Sequence, residues 1–159
     1  MVTQIAKEAG ATVHGLVGGP DKVAYARQFG ADHLIDYRSE PWPAKVKEQS
    51  GGHGADVIID GNAGPESVRN YEAIAPLGNV IYIGAMGGQA PEVNVSMLIG
   101  KSISVSGFVQ FFHQARTRGA ENAEIEEKLA TGRWRIPIER VFELEDIAEA
   151  HRLFEGRAV

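Results

Sequence analysis

The sequence predicts an α/β fold, a doubly wound parallel sheet with helices on both faces. Three observations carry that prediction. Residues 12–37, TVHGLVGGPDKVAYARQFGADHLIDY, hold a strand, a turn, a helix and a second strand in one unit. Short apolar runs then alternate with stretches of helical period as far as residue 107, the βαβαβ order that builds a parallel sheet. Proline and glycine punctuate the alternation, with proline opening helices and glycine closing them.

Taken in order, residues 1–9 read as the tail of a helix, with Val2, Ile5 and Ala6 at helical spacing and Gly10 as the stop. Strands are expected at 12–17, 33–36, 55–60 (ADVIID), 79–84 (NVIYIG) and 103–107 (ISVSG). All are short and mostly apolar, which predicts burial on both faces. Pro20 opens a helix that Gly30 closes, and Pro43 opens one that stops at Gly51-Gly52. Pro65 opens a third, ending before Pro76-Leu77-Gly78. Beyond 107 the pattern changes to a helix at about 121–131 ended by Gly132 and an irregular stretch, RWRIPIERVF. A last helix at about 145–155 is started by the acids Glu145 and Asp146 and ended by Gly156. No linker or repeat divides the chain, so residues 1–159 are expected to form one domain.

Composition narrows the function classes. The net charge of −5, with no basic cluster beyond 116–118 and 133–135, lacks the electrostatic footprint of a nucleic-acid binder. With no cysteine there is no thiolate metal site, and His14, His33, His53, His113 and His151 lie at no ligand spacing, so no metal is expected. No apolar run reaches the length of a membrane span, and the start of the chain lacks a signal pattern. The default expectation is a cytoplasmic protein with no membrane partner.

The end of the first strand carries the sharpest chemical signal. Binders of unphosphorylated dinucleotide usually place an acid there, on the ribose 2′-hydroxyl. Here the strand ends in Gly18-Gly19, Lys22 follows within five residues, and Tyr37 closes the next strand. A cation and a phenol would meet a 2′-phosphate there, which favours NADPH over NADH. The competing reading makes Lys22 a solvated first-turn residue, and Arg38 either a second cation or a water-facing side chain.

Several segments in order, QIAKEAGATVHGLV, FGADHLIDY, GADVIIDGNAG, AIAPLGNVIYIGA and GRWRIPIERVFELEDIAEAHRLFEGRA, span nearly the whole chain. The set resembles the medium-chain dehydrogenase/reductase superfamily in its zinc-independent quinone oxidoreductase branch. The resemblance implies an incomplete Rossmann-type domain, because no G-x-G-x-x-G occurs in the chain and the strand that would precede it has no counterpart. A truncated dinucleotide-binding domain is therefore expected. It also implies cofactor contacts at Asn62 and Ala63, at Gly84 and Ala85, and at the backbone of Phe108 and Val109, beside Gly18, Lys22 and Tyr37. Glycine turns at 61–64 and 84–88 and core or subunit packing of Phe108, Phe111 and Phe112 are the plainer alternatives.

The implied activity is NADPH-dependent hydride transfer to a quinone or another conjugated carbonyl. The alternatives are an enoyl-thioester reductase domain and a non-catalytic dinucleotide-binding or dimerisation module. No residue stands out as a catalytic acid or base. The absent strand would be the central one of the order 3-2-1-4-5-6, between the strands at 12–17 and 55–60. Three outcomes follow: the two strands pair directly, another chain donates a strand, or the fragment is only marginally stable. Pairing across the gap, or self-association through those edges or through the last strand as a homodimer, is the expected one.

Overall fold

A computed structural model describes residues 1–88, 92–117 and 120–156; Arg118, Arg157 and Ala158, in segments quoted above, lie outside them. The elements in order are α1 (Val2–Glu8), β1 (His14–Val17), α2 (Pro20–Arg27), β2 (His33–Asp36), α3 (Trp42–Gln49) and β3 (Ala55–Asp60). A 3-10 turn (Pro65–Arg69) and α4 (Asn70–Ala73) lead into β4 (Ile74–Tyr82), α5 (Val95–Lys101) and β5 (Ser104–Gly107). α6 (Gln110–Thr117), α7 (Ala120–Ala130), a second 3-10 turn and α8 (Ile147–Glu155) complete the order.

Every strand pairing is parallel. β1 pairs with β2 in the register His14 to His33, and β3, β4 and β5 form a separate sheet in that order. The expected pairing of 12–17 directly with 55–60 does not occur. The two sheets are instead joined through a helix. Trp42 and Val46 of α3 share a buried cluster with Ile35 of β2 and Ala73, and Ala55 and Ile58 of β3 pack against it. Ile58 also packs on a second cluster of Tyr71, Ile74, Val80 and Ile103, so the two cores meet at β3.

Burial on both strand faces holds for Ile35 and Val80 but fails at the inner edges, where Leu16, Val57 and Ile59 are exposed. The helix expected after Pro65 is a 3-10 turn plus one α-turn, because the chain passes into β4 already at Ile74. Pro76-Leu77-Gly78 is a bulge within that strand, with Leu77 at φ +64 and a register shift opposite Ala55 to Val57. Two helices escaped the periodicity argument. α5 is capped by the Asn94 side chain, which accepts from the Met97 amide at 3.1 Å. α6 carries Phe111 and Phe112 in its first turn.

The carboxy-terminal part is tied to α1. Glu8 accepts from Lys128 and from Arg133, and Gln4 exchanges hydrogen bonds with the Arg135 backbone at 2.9 Å. Lys128 lies over the buried Trp134 ring. Among the described residues no helix is long and apolar enough to cross a membrane.

At the amino ends of β1 and β2 the rings of His14 and His33 stack 4.6 Å apart, and His14 Nδ1 lies 3.1 Å from Gln49 Oε1. Burial pulls the His14 imidazole below its ordinary value, against the hydrogen bond with Gln49, which raises it. A depressed histidine contributes stability that is complete above its unfolded value near 6.5 and declines as pH falls toward the folded value. Urea midpoints measured between pH 8 and pH 5 are expected to drop on acidification, and His14→Gln to flatten the drop. An unchanged slope in the variant refutes the assignment.

Candidate functional site

Within each sheet the strands are parallel, so their carboxyl ends share an edge, where open α/β sheets bind ligands. The residues expected to contact a cofactor lie at these strand ends, in two clusters.

The first cluster closes β1 and β2. Gly19 adopts φ +144 and is followed by Pro20 at the start of α2, a turn only glycine enters freely. A Cβ on Gly18 would stand 2.8 Å from the Tyr37 hydroxyl oxygen and 3.3 Å from Arg38 Nε. Both side chains therefore lie over the Gly18 backbone. The Asp36 carboxylate is engaged locally, accepting from the Arg38 amide at 3.1 Å and the Ser39 hydroxyl at 3.0 Å. Lys22 stands exposed in the first turn of α2. Arg38, left open between two readings in the sequence, is thus a member of the cluster.

The second cluster follows β3, β4 and β5. Asp60 organises it: one carboxylate oxygen accepts the amides of Asn62 at 2.8 Å and Ala63 at 3.0 Å, and the other accepts Asn70 Nδ2 at 2.8 Å. Burial by itself would raise this carboxyl. Hydrogen bonds from Ser67, Ala63, Asn70 and Asn62 outweigh it and hold the group below the usual range. Ala63 is buried at φ +47, a strained conformation for a residue with a Cβ. The Gly87 amide donates to Asn62 O at 2.6 Å, and any Cβ on Gly87 or Gly84 would collide with the backbone of Gly64 or Gly61. The loops at 61–64 and 84–88 thus touch backbone to backbone, which side chains there would prevent.

The Phe108 amide donates to Tyr82 O at 2.9 Å, bringing the end of β5 beside that of β4. The Phe108 ring stacks on His113, while Phe111 and Phe112 are 77% and 82% exposed and so are not core. Burial, then the neighbouring Tyr71, pushes the Tyr82 phenol up to about 12, which keeps it protonated. The structure therefore brings Gly18 together with Tyr37, and Asn62 and Ala63 together with the Gly84–Gly87 loop. Sequence reasoning missed Asp60, Asn70 and Ser67 as the frame. An Asp followed by Gly-Asn at a strand end is the turn signal that points to Asp60.

A cavity of about 480 Å³ lies elsewhere, among Gln4, Lys7, Gln28, Arg133 and Arg135. Its cations are engaged: Lys7 by Asp32, Arg133 by Glu8, and Arg135 by Gln28 O.

A family model described as zinc-binding dehydrogenase matches residues 1–123. The chain belongs to this dehydrogenase family. It is 27% identical over 160 residues to a 2-haloacrylate reductase of Burkholderia sp, covering 96% of this chain and 47% of that protein. It superposes on a quinone oxidoreductase of Pseudomonas syringae pv. Tomato DC3000 with a TM-score of 0.87 and 28% identity, covering 99% of this chain and 49% of that one. The Escherichia coli quinone oxidoreductase solved in complex with NADPH gives a TM-score of 0.86 and 27% identity, over 99% of this chain and 50% of that one. Within the medium-chain dehydrogenase/reductase superfamily these likenesses lie in the quinone oxidoreductase branch. The chain has a Rossmann-type fold and spans about half the length of the relatives it matches.

The family's zinc finds no donor set here. The chain has no cysteine, and among the described residues no group of three His, Asp or Glu could hold a metal.

Proposed function

We propose that this chain is the NADPH-binding portion of a zinc-independent oxidoreductase that delivers hydride to a quinone or another conjugated carbonyl. The observation that carries the reading is the convergence of the Tyr37 hydroxyl and the Arg38 guanidinium over Gly18, at a strand end that bears no acid. A 2′-phosphate laid on the Gly18 backbone would meet a phenol donor and a guanidinium. Lys22, one helical turn away in sequence from the glycine pair, would supply further positive charge. Backbone groups of Asn62, Ala63, Gly84, Ala85, Phe108 and Val109 would line the nicotinamide end. When bound, the cofactor carries the hydride, and the protein's part is to hold and orient it.

The absence of a glycine-rich turn removes the usual pyrophosphate seat at a helix N-terminus, so the isolated chain is expected to bind weakly and not to turn over. A homodimer through the free edge of β5 fits the same reading.

Titration of the chain with NADPH and with NADH, followed by nicotinamide fluorescence, tests the proposal. NADPH is expected to bind at least about tenfold more tightly. Arg38→Ala and Lys22→Ala are each expected to weaken NADPH by about 10- to 100-fold, the value of a hydrogen bond to a charged group, and to leave NADH unchanged. Equal affinity for the two cofactors, or variants that weaken both alike, overturns the assignment of this cluster to the 2′-phosphate. A chain that binds neither cofactor overturns the binding reading for the isolated protein.

A further inference from the structure

The chain is acidic, with 21 Asp and Glu against 16 Lys and Arg. The cavity of about 480 Å³ runs against that balance, because Lys7, Arg133 and Arg135 line it beside Gln4 and Gln28, and no carboxylate does. Its walls come from the end of α1, from residues 28–30 after α2, and from residues 132–135 after α7. The first two lead into the amino ends of β1 and β2, so the cavity lies at the other end of these strands from Gly18 and Tyr37.

The segment that carries the two arginines is fixed. Trp134 is 7% exposed, Lys128 lies over its ring, and its amide donates to Lys128 O at 3.1 Å. Gln4 clamps the next residue at two points: the Arg135 amide donates to Gln4 Oε1, and Gln4 Nε2 donates to Arg135 O, each at 2.9 Å. Trp134 is buried while Arg133 and Arg135 on either side of it are exposed. A backbone held in this way lowers the ordering cost of binding.

The ionic contacts around the cavity leave one positive charge over. Lys7 donates to both oxygens of Asp32 at 2.8 Å and to Ala11 O at 3.2 Å, so none of its N–H groups is left for a ligand. Glu8 is shared by Arg133 and Lys128, and Lys128 also has Glu124 at 4.0 Å. Arg133 gives one N–H to Glu8, and Arg135 gives one to the Gln28 carbonyl at 3.4 Å, near the limit of a hydrogen bond. Among the described residues no carboxylate pairs with Arg135. Both guanidiniums therefore keep most of their donors, and Arg135 keeps its charge.

We propose that this cavity binds a phosphorylated small molecule. The phosphoryl group lies between the guanidiniums of Arg133 and Arg135, and the body of the molecule lies against Phe29, the aromatic ring in the lining. A guanidinium fork matches two oxygens of a phosphate, and a phosphoryl group has oxygens for both arginines, whereas a single carboxylate fills one fork. The volume is that of a small-molecule site, which spans about 300–1,000 Å³. None of these residues belongs to the two clusters of the proposed function, so the two readings fail separately.

Phenyl phosphate, a phosphoryl group on an aromatic body, is the probe. Two-dimensional NMR of the full chain follows amide and guanidinium signals through its titration at fixed ionic strength, with benzoate as the carboxylate comparison. Saturable shifts at Phe29, Arg133 and Arg135 are expected, with benzoate binding more weakly. Arg135→Ala leaves the backbone clamp to Gln4 in place, and Arg133→Ala leaves Lys128 on Glu8. Each variant is expected to weaken phenyl phosphate by about tenfold or more, the loss of a hydrogen bond to a charged group, with the Trp134 indole signal unmoved as the sign of an intact fold. Should one variant move that signal, the other carries the test. Wild-type affinity in a folded variant overturns the proposal. So do shifts that grow without saturation through the millimolar range, benzoate binding as tightly as phenyl phosphate, or shifts confined to Gly18, Tyr37 and Arg38.

Discussion

Trp42→Ala is expected to lower the stability of the chain by about 3–5 kcal/mol, the range for emptying a large buried aromatic site. Trp42 is 5% exposed and stands at the start of α3, in the cluster that also holds Ile35 and Val46. The guanidinium of Arg69 lies 5.7 Å from the ring centroid, adding a cation–π contact that alanine cannot make. Ordinarily the backbone ladder holds neighbouring strands together. Between β1 and β3 that ladder is missing, so side-chain packing through α3 carries the connection. Against a total of about 5–15 kcal/mol for a typical domain, the loss is a large fraction. Urea unfolding followed by far-ultraviolet circular dichroism measures it. A loss below about 1 kcal/mol, the level of an ordinary surface change, would mean that α3 is not the bridge described.

Asp60→Ala is expected to lower stability by about 2–4 kcal/mol and to collapse the second cluster. The substitution strips acceptors from the amides of Asn62 and Ala63 and from Asn70, and Ala63 and Asn70 are buried. A buried donor left without an acceptor costs about 1–3 kcal/mol, so two such donors dominate the estimate. With Asn62 released, its carbonyl no longer seats the Gly87 amide. On the proposed function, NADPH affinity then falls at least about tenfold, whereas the cluster at Gly18 keeps its preference for NADPH over NADH. The pH dependence gives a second readout. A carboxyl depressed by folding contributes stability that is present above its unfolded value and lost as pH falls through the folded one. Asp60→Asn is therefore expected to flatten the acid limb of the stability profile below about pH 4, near the ordinary carboxylate value. Wild-type stability and affinity in Asp60→Ala would show that the loop stands without its carboxylate.

How much was legible in the chain varies with the range of the interaction. Strands at 33–36 and 55–60 appear as read, because a short apolar run between glycine and proline signals is a local pattern. Helix ends at Gly30, Gly51 and Gly132 were readable for the same reason, each glycine taking the positive φ that closes a turn. α5 was missed although Asn94 caps it, since seven residues with little polar contrast give weak periodicity. β4 was read five residues short at its start and two long at its end, because the bulge at Leu77 looks locally like a helix stop followed by a turn. In the candidate site, glycines and strand ends were visible as motifs. Arg38 and Asp60 acquired roles only through partners supplied by the fold.

The sequence by itself determined the fold class, the parallel direction of the strands, the carboxyl edge as the place of the site, and the glycine pair that replaces an acid after β1. These follow from local period, turn chemistry and the order of elements. Only the tertiary structure decided that β1 and β3 stay apart, that α3 joins the two sheets, and that the loops after β3 and β4 lock together around Asp60. The physical reason is that strand pairing and loop contact are long-range choices. They depend on which helix packs across which pair of strands, and no pattern within a single segment encodes that.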